Sequence, residues 1–128
     1  MGLYRPPNIK YIPVHMLESY EVLRLLRERS PQFDVVHFHD YFGAGYYSVL
    51  AKNQGLALRD TVTVLGVHGP NLWAKKEGNM ETIDKIGDLE IDFMERKSVA
   101  LADYVVSPSN YILGWMEREG WQVKRVGG

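Results

Sequence analysis

Three of the four histidines in this chain fall in two short segments that each run from an apolar stretch into glycine: Asp34-Val35-Val36-His37-Phe38-His39-Asp40-Tyr41-Phe42-Gly43-Ala44-Gly45, and Gly66-Val67-His68-Gly69-Pro70-Asn71-Leu72-Trp73. His37 and His39 stand two apart, so on a strand both imidazoles point to one face and could share a metal with His68 or Asp40 as a third ligand. That spacing is weak evidence. Metal hydrolases built on such a pair need further ligands, and only His15 remains. Chemistry without metal is expected, with His37 packed in a sheet, its nitrogens bonded to backbone, and His39 closing the strand. Asp84, Asp88, Asp92 and Glu95 also imitate a carboxylate cluster. They alternate with Lys85, Arg96 and Lys97, which reads as a solvated helix face laced with ion pairs.

Gly43-Ala44-Gly45-Tyr46-Tyr47-Ser48 imitates the dinucleotide fingerprint, but serine replaces the third glycine. The following strand ends in Val67-His68 rather than an acid that would hold a ribose. Nicotinamide and flavin are therefore disfavoured, and Gly43 and Gly45 are read as a tight turn whose amides could meet an anion. Trp73 beside Gly69-Pro70 has two readings of equal weight, a sugar-facing platform or a loop anchor.

The elements that must position these residues follow from the pattern. Tyr11 to Val14 is a short edge-strand candidate, and Leu17 to Arg29 a helix with Val22, Leu25 and Leu26 inward, stopped by Ser30-Pro31. Val35 to His39 is a strand apolar on both faces, which implies a parallel sheet covered by helices on both sides. Gly43 to Gln54 is a helix closed by Gly55, Thr61 to Val67 a β-branched strand, and 69 to 82 an irregular loop. A helix from about Ile83 to Ala102 should bury Ile86, Leu89, Phe93, Met94 and Leu101. Asp103 to Val106 is a third strand, and Ser107-Pro108-Ser109 starts a last helix with proline in its first turn and Ile112, Trp115 and Met116 inward. Strict β-α alternation means an α/β doubly wound parallel sheet with right-handed crossovers. In such a sheet ligands bind outside the carboxyl ends of the strands. His39, Asp40, His68, Gly69 and Ser107 should gather there.

At 128 residues the chain suits one domain. Its 45% hydrophobic and 24% charged residues are those of an ordinary globular protein, and a net charge of -1 gives no basic footprint for nucleic acid. No cysteine is present, which suits a reducing cytoplasm. The longest apolar runs fall far short of the roughly 20 residues that cross a bilayer, and no signal-peptide core stands at the amino terminus.

Taken in order, the first two segments quoted above, then Glu95-Arg96, then Ala102-Asp103-Tyr104-Val105-Val106-Ser107-Pro108-Ser109, resemble the amino-terminal domain of family 4 retaining glycosyltransferases, the group related to glycogen and sucrose synthases. The resemblance covers roughly residues 30 to 122. It implies one half of a GT-B fold, in which two Rossmann-like domains face across a cleft and a nucleotide-sugar donor, a substrate and not a cofactor, is held mostly by the carboxyl-terminal domain. It implies no metal and no bound cofactor. His68 matches the family histidine that reaches the donor sugar, where it would orient the sugar and help stabilise oxocarbenium charge, with Gly69 letting backbone come close. His39, Asp40 and Tyr41 look like the acceptor-side wall. Asn71 and Trp73 would adjoin it, and Ser107, Ser109 and Asn110 would supply hydroxyls and amides at the same edge. Glycogen-synthase-like members carry histidine where Phe42 stands, which puts a polymer-glucan acceptor in doubt.

The family's glycine-rich loop after its first strand is missing from Met1 to Val14, as is the carboxyl-terminal domain with its basic pair and paired glutamates. Residues 1 to 128 are therefore expected to be a partial amino-terminal domain, inactive without its partner domain. A second reading is a free-standing flavodoxin-like binding module without catalysis. That module should have a finished sheet, whereas a fragment should expose an apolar surface.

Overall fold

The computed structural model describes residues 12–29, 33–78 and 85–124. Helix α1 (Val14–Arg29) leads into strand β1 (Val35–His39), a 3-10 turn (Tyr41–Gly43) and helix α2 (Tyr46–Asn53). Strand β2 (Val62–Gly66) is followed by the short helix α3 (Asn71–Trp73), a wider turn (Ala74–Gly78) and helix α4 (Ile86–Leu101). Strand β3 (Tyr104–Val106) and helix α5 (Asn110–Arg118) complete the order.

The sheet is parallel throughout, with β2 between β1 and β3. Register sets Phe38, Leu65 and Val105 side by side on one face. All three are buried, against Val49 of α2, Val99 of α4 and Ile112 and Met116 of α5. Val22 and Leu26 of α1 pack on the same cluster, so the mixed α/β, Rossmann-like class holds.

The expected second layer of helices is absent among the described residues. On the other face lie the rows Val35–Val62 and His37–Val64–Tyr104, with Val35 56% and Tyr104 50% exposed. The reason is topological. Three strands in chain order, joined by right-handed crossovers, lay every crossover helix on the same side. The opposite face is covered only by crossovers that run the other way from a switch point. Apolar composition on both sides of β1 did not reveal which side its neighbours would occupy.

Other elements differ at their ends. Val14 opens α1 rather than closing a strand, since the Pro13 carbonyl accepts the amides of Met16 at 3.1 Å and Leu17 at 3.2 Å. Proline has no donor to lose at a helix start. Tyr11 and residues 79–84 lie outside the described residues. Pro108 precedes the cap of α5 rather than entering its first turn, and the Ser109 hydroxyl accepts the Tyr111 amide.

The larger correction concerns α4. Ile86, Leu89 and Phe93 face solvent, Ile86 being 77% exposed, while Asp88, Met94, Glu95, Ser98 and Val99 face inward. The supposed solvated acidic face is thus partly the buried one. The loops after β1 and β2 present backbone amides that need acceptors, and α4 is turned to supply carboxylates.

Candidate functional site at the carboxyl edge of the sheet

Register opposes His39 to Gly66 and Gly66 to Val106. One step further the Asp40 amide donates to the Gly66 carbonyl at 3.1 Å, and the Val67 amide to the Val106 carbonyl at 2.8 Å. His39, His68 and Ser107 therefore leave the sheet at one edge, as the strand pattern predicts.

The His39 and His68 rings stand 5.6 Å apart between centroids, and both residues are exposed. His37 continues the row, 5.8 Å from His39. It does not pack in a covered sheet. It is exposed on the open face, its ring lying over Gly66, where an added Cβ would meet Nε2 at 2.5 Å. Asp40 is turned away from this row, and no group of three His, Asp or Glu side chains able to hold a metal converges among the described residues.

Asp40 is buried, 5% exposed, and its Oδ2 accepts the backbone N–H of both His68 and Gly69 at 3.1 Å. A carboxylate on two amides fixes a turn strongly. The residue expected in the acceptor wall thus acts from beneath, holding the His68 backbone against the end of β1.

Glu95 performs the matching task from α4. It is 2% exposed; Oε1 accepts the Asn71 N–H at 2.8 Å and Oε2 the Phe42 N–H at 3.1 Å. Burial, reinforced by the nearby charge of Asp40, pushes its carboxyl up to about 8 despite the two amides. The same helix face carries Asp88, bonded to Lys75 at 3.0 Å. The ammonium, helped by Asn71, holds that carboxyl below its ordinary range. Neither role emerged from the sequence. The available signal was the seven-residue interval from Asp88 to Glu95, two helical turns, which sets both on one face with Met94 and Val99 close by.

The remaining expected residues divide clearly. Tyr41 is 68% exposed at the edge, its ring 4.0 Å from that of Phe42. The Trp73 ring lies over Gly69, where a Cβ would meet it at 3.0 Å, and it packs on the core cluster, so it anchors the loop. The space at Gly69 is taken by that ring. Asn71 gives its amide to Glu95. The Ser107 hydroxyl is engaged by the Ser109 backbone on both N–H and carbonyl, and Ser109 caps α5. Asn110, the first residue of α5, is exposed.

Gly43 and Gly45 form the expected tight turn, and packing requires both to be glycine. Gly43 has φ +69° and its missing Cβ would lie 2.6 Å from Met94 Cβ, while one on Gly45 would lie 2.6 Å from the Phe38 ring. Two hollows of about 310 and 340 Å³ lie elsewhere, one at the amino ends of the strands around Leu58 and Thr61, the other along α1 around Tyr20 and Arg24. At the edge itself His39, His68, Tyr41 and Asn110 are exposed. Among the described residues no helix is long and apolar enough to cross a membrane.

The family model described as Glycosyltransferase Family 4 matches residues 1–126. No curated protein matches the chain at a significant level.

Proposed function

The chain belongs to Glycosyltransferase Family 4, and from that premise we propose that its shelf of histidines is the acceptor side of the cleft in a retaining enzyme that moves a sugar from a nucleotide-sugar donor to an acceptor hydroxyl. The observation that carries this reading is the exposed His39–His68 pair, 5.6 Å apart at the carboxyl edge, with the His68 turn fixed by Asp40. His68 hydrogen-bonds the donor sugar at the reacting centre and helps stabilise the positive charge that grows as the bond to the leaving diphosphate breaks. His39 and Tyr41 flank the acceptor, whose hydroxyl must approach the same centre, and Asn110 offers a further polar contact from the start of α5. Asp40 and Trp73 position these groups without touching substrate. The chain needs no metal and no bound cofactor for this chemistry. The absence of cysteine fits a cytoplasmic reaction.

A facing domain supplies the grip on the nucleotide, and the 128 residues alone do not transfer sugar. Support comes from the exposure of Val35 and Tyr104 on a sheet face that no described helix covers, where a free-standing binding module would have a second layer. The test is His68→Ala in an enzyme carrying both halves of the cleft. Loss of a preorganised group that acts on developing charge should lower kcat/KM by about 10²-fold or more, while the melting temperature stays close to that of the parent. Undiminished transfer would end the reading.

A further inference from the structure

The two loops that carry the edge residues are joined by two buried carboxylates, Asp40 from the end of β1 and Glu95 from α4. We propose that Glu95 is a positioning residue for the transfer site, tying the loop after β1 to the loop after β2 and thereby setting where His68 stands relative to His39 and Tyr41. The proposal rests on the reading of His68 given above.

Geometry carries it. Glu95 spans the two loops with one oxygen each, Oε2 on the Phe42 amide at 3.1 Å and Oε1 on the Asn71 amide at 2.8 Å. Phe42 follows His39 by three residues, and Asn71 follows His68 by three. Phe42 also has φ +49° and ψ +29°, a left-handed conformation costly for an aromatic residue. The half-buried amide in that turn needs an acceptor, and Glu95 supplies it. Asp40 completes the brace on the amides of His68 and Gly69. Removing Glu95 leaves two amides without an acceptor and one strained turn without its support, so the loops should part.

The charged and titratable groups around Glu95 are few. Asp40 faces it from the end of β1 and Asp92 from its own helix, the latter paired with Arg96 at 3.3 Å. The loop after β2 brings His68 and, further along, Lys75, which is bonded to Asp88. With both nearest groups acidic and the site buried, the proton stays on Glu95 to about pH 8. Its ionisation near pH 8 then changes the two amide hydrogen bonds together.

The experiment uses the 128-residue chain without substrate. In nitrogen-15 spectra the Phe42 and Asn71 amides should titrate with one shared midpoint near pH 8, and the His68 ring signals should show a step at the same pH. Glu95→Gln, which cannot ionise, should abolish that step and displace the His68 signals above about pH 8, where the native carboxylate accepts both amides. Should that variant fail to fold, the double variant with Phe42→Gly carries the test, because glycine holds the left-handed turn without the carboxylate. Two amides titrating separately or in the ordinary carboxylate range, or His68 signals unmoved by the substitution, would overturn the proposal. The His68→Ala transfer assay is independent. If that assay fails while the spectra behave as described, the functional reading falls and the brace stands.

Discussion

Phe42 holds a conformation that glycine takes without cost, and glycine follows it. The pair Phe42-Gly43, at φ +49° and +69°, turns the chain sharply out of β1 against Met94. At Gly43 a methyl group would meet Met94 Cβ at 2.6 Å in a backbone region that L-residues avoid. Gly43→Ala should therefore destabilise the fold by about 2 kcal/mol or more, from strain and overpacking combined. Urea unfolding would measure it, and a change below about 0.5 kcal/mol, the range of neutral surface substitutions, would contradict the assignment. From sequence Gly43 and Gly45 are legible as a tight turn whose amides could meet an anion. What could not be seen was the neighbour. Met94 lies far along the chain and reaches Gly43 only through the packing of α4.

Elements were legible where local pattern and tertiary demand agree. Val35–His39, Val62–Gly66 and Tyr104–Val106 are strands by β-branched content and by pairing, and α5 buries Ile112, Trp115 and Met116 as its period requires. Helix α4 was found but rotated in the reading, because its apolar stripe is genuine while the loops of the edge demanded acceptors from the other side. The consequence can be measured as a pH dependence. For Glu95 the folded value is raised to about 8 from 4.5. Between those values the native state therefore holds more protons than the unfolded chain, and stability falls as pH rises. Asp103 acts oppositely: burial pushes its carboxyl up, but Lys52 and the Thr63 amide and hydroxyl hold it below its ordinary 3.8. Asp88 is likewise lowered, so both contribute stability that is present above their unfolded value and lost in strong acid. Stability should thus peak on the acid side and decline by about 2–4 kcal/mol from pH 5 to pH 8. Denaturant melts across that window check it, and Glu95→Gln should flatten the decline. A profile that rises toward pH 8 would contradict the assignment of Glu95.

Among the described residues, one packed face and one uncovered face divide the sheet. Leu65 sits at the centre of the packed face with no exposure. Leu65→Ala should cost about 2–5 kcal/mol through the cavity it leaves, against little for Val35→Ala on the bare side, a contrast that thermal melts of the two variants would resolve. The carboxyl edge joins these two faces, and the segment that follows β2 there offers little to a diphosphate. Anions are held by free cations or by open amides at helix starts. The cations that follow this edge in sequence are already engaged, Lys75 with Asp88 at 3.0 Å and Lys76 with Glu119 at 3.4 Å. The first amide of α3 is spent on Glu95. Neither of these lysines nor that amide is open to a diphosphate. On the proposed division of labour, the 128-residue chain should bind uridine, guanosine or adenosine diphosphate sugars no more tightly than the millimolar range, about 4 kcal/mol or less, and should transfer no sugar. Calorimetry with the three donor classes measures the first point and product analysis the second. Micromolar affinity, or transfer by these residues alone, would mean that the shelf completes a site by itself and that a facing domain is not what grips the donor.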